Sequence, residues 1–88
     1  MVFEWDEHKR ESNLTKHKLD LADGMELFDG RPTISYPSTR DEPRWITIGL
    51  IGTRTVAVVW TRRTDATRLI SLRRARDAEK RAYHARHG

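Results

Sequence analysis

RWITIGLIGTRTVAVVWT, residues 44–61, is the stretch on which the fold turns. Two runs rich in β-branched and aromatic residues, 44–51 and 55–61, flank the turn signal Gly52-Thr53-Arg54, which makes them an antiparallel pair. In the first run Ile46, Ile48 and Leu50 share a face opposite Trp45, Thr47 and Gly49. In the second, Val56, Val58 and Trp60 oppose Ala57 and Val59. A strand that is apolar on both faces belongs in the middle of a sheet.

Outward from this hairpin, Thr33-Ile34-Ser35-Tyr36 reads as a preceding strand, Pro37 to Pro43 as a polar loop, and Thr67 to Arg73 as a following strand, giving four antiparallel strands in succession. Upstream, Val2 to Trp5 alternates as a short strand and stops at Asp6, a residue suited to capping a helix N-terminus. The helix it opens, Glu7 to His17, contains a single large apolar residue, Leu14, far below the three or four per two turns that a surface helix gives to a core. Leu14 shares its expected inner face with Arg10, Asn13 and His17, while Lys9 and Lys16 stand seven residues apart and nearly in line. Such a helix either packs weakly or uses its polar groups. Asp20 caps a second helix with an apolar stripe of Leu21, Ala22, Met25 and Phe28, ended by Gly30 and Pro32. Asp77 to Ala85 forms a last helix, with Ala78, Ala82 and Ala85 along one stripe. The pattern predicts one α+β domain over residues 1–88, an antiparallel sheet of about four to five strands with two N-terminal helices and one C-terminal helix. The helices are expected on one face, leaving a more polar face open to a ligand.

Eighty-eight residues bury only about 60–65% of the surface exposed by the unfolded chain, so there is one modest core. With 36% apolar and 34% charged residues and no cysteine, the composition excludes a disulfide scaffold and a thiolate metal site. No run reaches signal-peptide or membrane-span length, and a cytoplasmic protein is expected. The net charge of +4 is unevenly divided. Residues 1–60 carry eight Lys and Arg against ten Asp and Glu, whereas residues 61–88 carry nine against three. Segregated positive charge of this kind attracts a polyanion, nucleic acid being the commonest, or an acidic protein, and otherwise is simply a solvated basic face.

Trp5-Asp6-x-x-Lys9, Asn13-Leu14-x-Lys16-His17, and the later Arg68-Leu69-Ile70-Ser71-Leu72-Arg73-Arg74-Ala75 with Glu79 and Tyr83 together resemble the BrnT family in the right order over nearly the whole chain. The resemblance implies a RelE-like fold, a ribonuclease toxin of a bacterial type II toxin–antitoxin pair that arrests translation, and a BrnA-like ribbon-helix-helix antitoxin in a 2:2 assembly. DNA would be reached only through that antitoxin. Two positions depart from the family pattern: Lys18 stands where a glycine commonly follows the Lys-His pair, and Arg76 where a Ser or Thr would form a capping box with Glu79.

Metal-independent RNA cleavage needs a base for the attacking 2′-hydroxyl, cations for the phosphorane and a donor for the leaving 5′-oxygen. Arg68 and Arg73 suit the second task, because a guanidinium meets phosphate bidentately and keeps its charge. On an ideal strand they face opposite ways, so both serve one phosphate only if Arg73 ends the strand or a bulge intervenes; Arg74 has the parity of Arg68 and is the reserve. An exposed strand arginine of this sort should matter little to stability. His17, Tyr83, Lys16 and Glu79 are candidates for proton transfer, His17 favoured by its near-neutral pKa. Lys9 and Lys16 are candidate phosphate binders, and Trp45 or Trp60 could stack on a base. The competing structural reading makes Asn13 and His17 backbone caps, Glu79 a surface residue and Tyr83 a packed ring. His84 and His87 lack a third ligand at suitable spacing, so no metal and no cofactor are expected. A non-catalytic module that binds nucleic acid or an acidic partner through the basic C-terminal segment is the alternative function.

Overall fold

The structure, a computed structural model, describes residues 1–38 and 43–88. Its elements are β1 (Val2–Glu4), α1 (Glu7–His17), a 3₁₀ helix (Leu21–Phe28), β2 (Thr33–Ser38), β3 (Arg44–Ile51), β4 (Arg54–Arg63), β5 (Ala66–Arg74) and α2 (Asp77–His87). Pro37 and Ser38, expected in the loop, extend β2; the loop's centre, residues 39–42, lies outside the described residues.

The five strands form one sheet in the order β1-β5-β4-β3-β2. β2 to β5 are antiparallel neighbours, as the hairpin pattern predicts, but β1 pairs parallel with β5 through Val2, Phe3 and Glu4 against Ala66, Thr67 and Arg68. The sheet is therefore mixed. β4 is central, with Val56, Ala57 and Val58 wholly buried.

Helices lie on both faces, which corrects the one-face expectation. Leu21, Leu27, Val56, Val58, Leu69 and Leu72 form the core on the front face, under the 3₁₀ helix. Ile48, Ala57, Ala75 and Tyr83 form a second core on the back face, under α2. The reason is the side of α2 that is buried. Glu79 and Tyr83 face the sheet, while Ala78, Ala82 and Ala85 are exposed. An alanine stripe offers little area, so the tyrosine ring decides the orientation. α2 covers only the part of the back face near β2 and β3, and the rest stays open.

The second helix also departs from its expected period. Leu21, Gly24 and Leu27 are buried, three residues apart, and Met25 is exposed, because a 3₁₀ helix repeats every three residues. Gly24 allows the close approach: a Cβ there would stand 3.0 Å from Val58 Cγ2. Asp20 caps this helix as expected, its carboxylate accepting from the Ala22 N–H.

Candidate functional site

α1 is held by a buried amide. Leu14 is 54% exposed and Asn13 only 5%, so the expectation that Leu14 faces inward is wrong. β1 pairs with β5 only as far as Arg68, leaving the rest of that edge of β5 without a strand. Asn13 fills the gap. Its Oδ1 accepts from the Leu72 N–H at 2.9 Å, and its Nδ2 donates to the Leu72 carbonyl at 2.8 Å and to the Leu19 carbonyl at 2.8 Å. One side chain thus completes both main-chain groups of a buried strand residue, as a neighbouring strand would. At the helix's other end Arg10 forks onto Asp20 at 2.9 and 3.0 Å. Lys18 takes the left-handed conformation, φ 58°, and its N–H closes the helix on the Leu14 carbonyl.

This docking places Lys9, Ser12, Lys16 and His17 along one side of a depression of about 140 Å³, with Ile70 and Ser71 of β5 on the other. The depression continues over the open back face into a second of about 330 Å³, where Ser71, Arg73 and Arg76 meet Ser38, Arg44 and Val59. Together they form one groove. None of its described lining residues is a carboxylate. His17 is half-buried, and its pKa lies below the usual histidine value because burial, then the charges of Lys16 and Arg73, disfavour its protonation.

A bulge sets the arginines. β5 pairs Arg68 with Thr61 and Leu69 with Trp60, then skips Ile70 and resumes with Ser71 opposite Val59 and Arg73 opposite Ala57. The extra residue reverses the alternation, so Arg68, Ser71 and Arg73 share the back face. Arg74, opposite Val56, has the other parity, which corrects its assignment to the side of Arg68. Arg68 and Arg73 remain four ladder steps apart, roughly 13 Å along the strand, and each is held separately. Arg68 Nη1 lies 2.7 Å from Glu4 Oε2. Arg73 reaches both oxygens of Glu79, at 2.8 and 3.0 Å.

Glu79 is not a surface residue. It is 8% exposed and accepts from Arg73, from the Tyr36 hydroxyl and from the Arg76 N–H. The last bond is the half of a capping box that an arginine at the cap position permits. These donors, Arg73 foremost, hold the Glu79 carboxyl at about 2, whereas burial, and then the hydrogen bond to Glu79 and its charge, push the Tyr36 phenol up. Tyr83 packs its ring in the back-face core, its hydroxyl 3.4 Å from the Pro32 carbonyl. Trp60 lies on the front face, edge-on to Phe28, and donates its indole N–H to Thr47 at 2.8 Å. The groove thus gathers Lys9, Lys16, His17 and Arg73 from the candidates; it does not include Arg74, Trp60 or Tyr83, and Arg68 stands farther along β5. Ser71, part of the closing motif, and Arg76, a departure from the family pattern, also line it, although neither takes a site role from the sequence.

Residues 5–79 match the family described as the ribonuclease toxin BrnT of type II toxin–antitoxin systems. The chain belongs to the BrnT family. Among curated proteins none matches it. Membership implies ribonuclease activity and a cognate antitoxin. The region shared with the BrnT family includes α1, the sheet from β2 to β5 and Glu79, and stops short of Tyr83. No helix among the described residues is long and apolar enough to cross a membrane.

Proposed function

We propose that this BrnT toxin cleaves RNA in the cytoplasm, without a metal, in the groove between α1 and the open back face. His17 takes the proton of the attacking 2′-hydroxyl. Its lowered pKa keeps the imidazole neutral near pH 7, as a base requires. Lys9 and Lys16 bind the flanking phosphates, and Arg73, aimed by Glu79 and Tyr36, adds positive charge at the phosphorane. Of the proton donors weighed from sequence, Glu79 is ionised and Tyr83 is packed beneath α2, which leaves Lys16, beside His17, for the leaving oxygen. The cognate antitoxin is of the ribbon-helix-helix class, binds as a 2:2 complex, and alone contacts operator DNA.

The observation that carries this reading is the groove's polar lining, which is cations, hydroxyls, one amide and one imidazole around an apolar floor of Ile46, Val59 and Ile70. The described lining fits a polyanion and supplies no carboxylate ligands for a divalent cation. The experiment is cleavage of a synthetic RNA by the purified chain in excess EDTA, with product ends analysed. Cleavage with 2′,3′-cyclic phosphate ends is expected, and His17→Ala should lower it about 10²–10⁴-fold. Activity that EDTA abolishes and magnesium restores would overturn the metal-free route. Binding without cleavage would leave a non-catalytic RNA-binding module.

A further inference from the structure

A second cationic depression lies where β5 ends, between the start of β4 and α2. Its volume is about 340 Å³, and it is lined by Thr53 from the β3–β4 turn, Arg54 and Thr55 from the start of β4, Arg74 from β5, and Lys80 and His84 from α2. Its described lining holds no carboxylate and no large apolar side chain. A peptide would need an apolar anchor to bind there, whereas a phosphodiester needs only charge and hydroxyl donors.

The two depressions are joined by one helix face. Arg76 lines the groove, and Lys80 and His84 line the second depression. All three are exposed, and they follow one another at i, i+4 and i+8, so they form a ridge roughly 12 Å long. Of the two acidic residues in the first turn of α2, Glu79 is turned inward and paired with Arg73, while Asp77 is exposed three residues before Lys80 and leaves the ridge with two arginine and lysine charges against one carboxylate. We propose that this ridge and depression form a second binding subsite for the phosphate backbone of single-stranded RNA, holding the substrate flank two or three nucleotides beyond the groove. The inference rests on the RNA-cleaving reading of the groove, but its test does not need cleavage.

The test compares the parent with Arg54→Gln/Lys80→Gln, two exposed positions outside the groove. The probe is a fully 2′-O-methylated RNA 12-mer, which has no 2′-hydroxyl to react, and binding is measured across a salt series. Loss of two phosphate contacts should weaken binding about tenfold at low salt and make the slope of log K against log salt shallower by about 1.4. On cleavable RNA, a trinucleotide confined to the groove should be cut alike by both proteins, while a 12-mer should show a raised KM and an unchanged kcat. Unchanged affinity and slope for the 12-mer would overturn the subsite, and so would equal losses on short and long RNA. Intact RNA binding with lost antitoxin binding would mark the patch as a protein surface instead. A parent that binds the 12-mer but cleaves nothing would refute the cleavage reading and leave the subsite to stand on its affinity and slope.

Discussion

Arg73 shows how a catalytic candidate can also be structural. Its guanidinium is the principal partner of a buried carboxylate, so Arg73→Ala strands Glu79 and should cost about 3–5 kcal/mol, against the small effect expected of an exposed strand arginine. Replacing both partners, Arg73→Met with Glu79→Leu, should recover much of that stability without restoring cleavage; urea unfolding and RNA cleavage on the same samples separate the two roles. The pair also predicts acid sensitivity. The Glu79 pKa is lower folded than unfolded, so its contribution is fully present above about pH 4.5 and is lost as pH falls toward 2. Urea midpoints taken from pH 6 to pH 3 should fall steeply in the parent and less in the double variant. His17 has the same sign by another route: its pKa is depressed, so the neutral base persists below pH 6.5. The acid limb of cleavage should therefore lie below pH 6.5, and Lys16→Gln, although slower for want of the proposed proton donor, should move the limb of its residual cleavage upward by removing a repelling charge. A limb that stays fixed in that variant would argue that another group is the base.

At the scale of elements, α1 is an edge cover more than a core helix. Asn13→Ala leaves the Leu72 N–H and carbonyl unpaired and should cost about 2–4 kcal/mol, with Asn13→Asp no better because it loses the donor that both carbonyls use. Hydrogen exchange at the Leu72 amide reports this directly, and unchanged protection would refute the edge-cover role. Lys18→Gly should stabilise the chain by roughly 0.5–1 kcal/mol, because a side chain at φ 58° is strained where glycine is not; thermal melting decides it. The bounds of α1 and β3 were legible because Asp6, Gly52 and strict alternation are local signals. Three features were not. The parallel pairing of β1 joins residues more than sixty positions apart, the bulge at Ile70 has no glycine to announce it, and the orientation of α2 depends on burial of the Tyr83 ring together with an ion pair that exists only once Tyr36, Arg73 and Glu79 meet. For the same reason the site was legible as a set of residue types near the two motifs, while the side on which each arginine lies was not.

Across the whole molecule, folding redistributes the charge that the sequence segregates. Residues 61–88 carry the excess of cations, yet α1, from the acidic part of the chain, docks on β5 and adds Lys9 and Lys16 to the same groove as Arg73. An antitoxin that silences this toxin by occlusion must therefore lay anionic or amphipathic chain across a surface built from both ends of the sequence. Inhibition should then be competitive with RNA and weaken as salt screens the contact, since exposed charges interact over about 10 Å at 0.1 M ionic strength. Lys9→Gln/Lys16→Gln should loosen antitoxin and RNA together, because both use the same cations. The measurement is cleavage by the free chain and by the co-expressed complex over a range of RNA concentrations, with the mass of the complex taken in solution. A 2:2 mass with inhibition overcome by excess RNA is expected; a complex that cleaves as fast as the free chain would refute occlusion, and inhibition insensitive to RNA concentration would point to a change imposed on the fold instead.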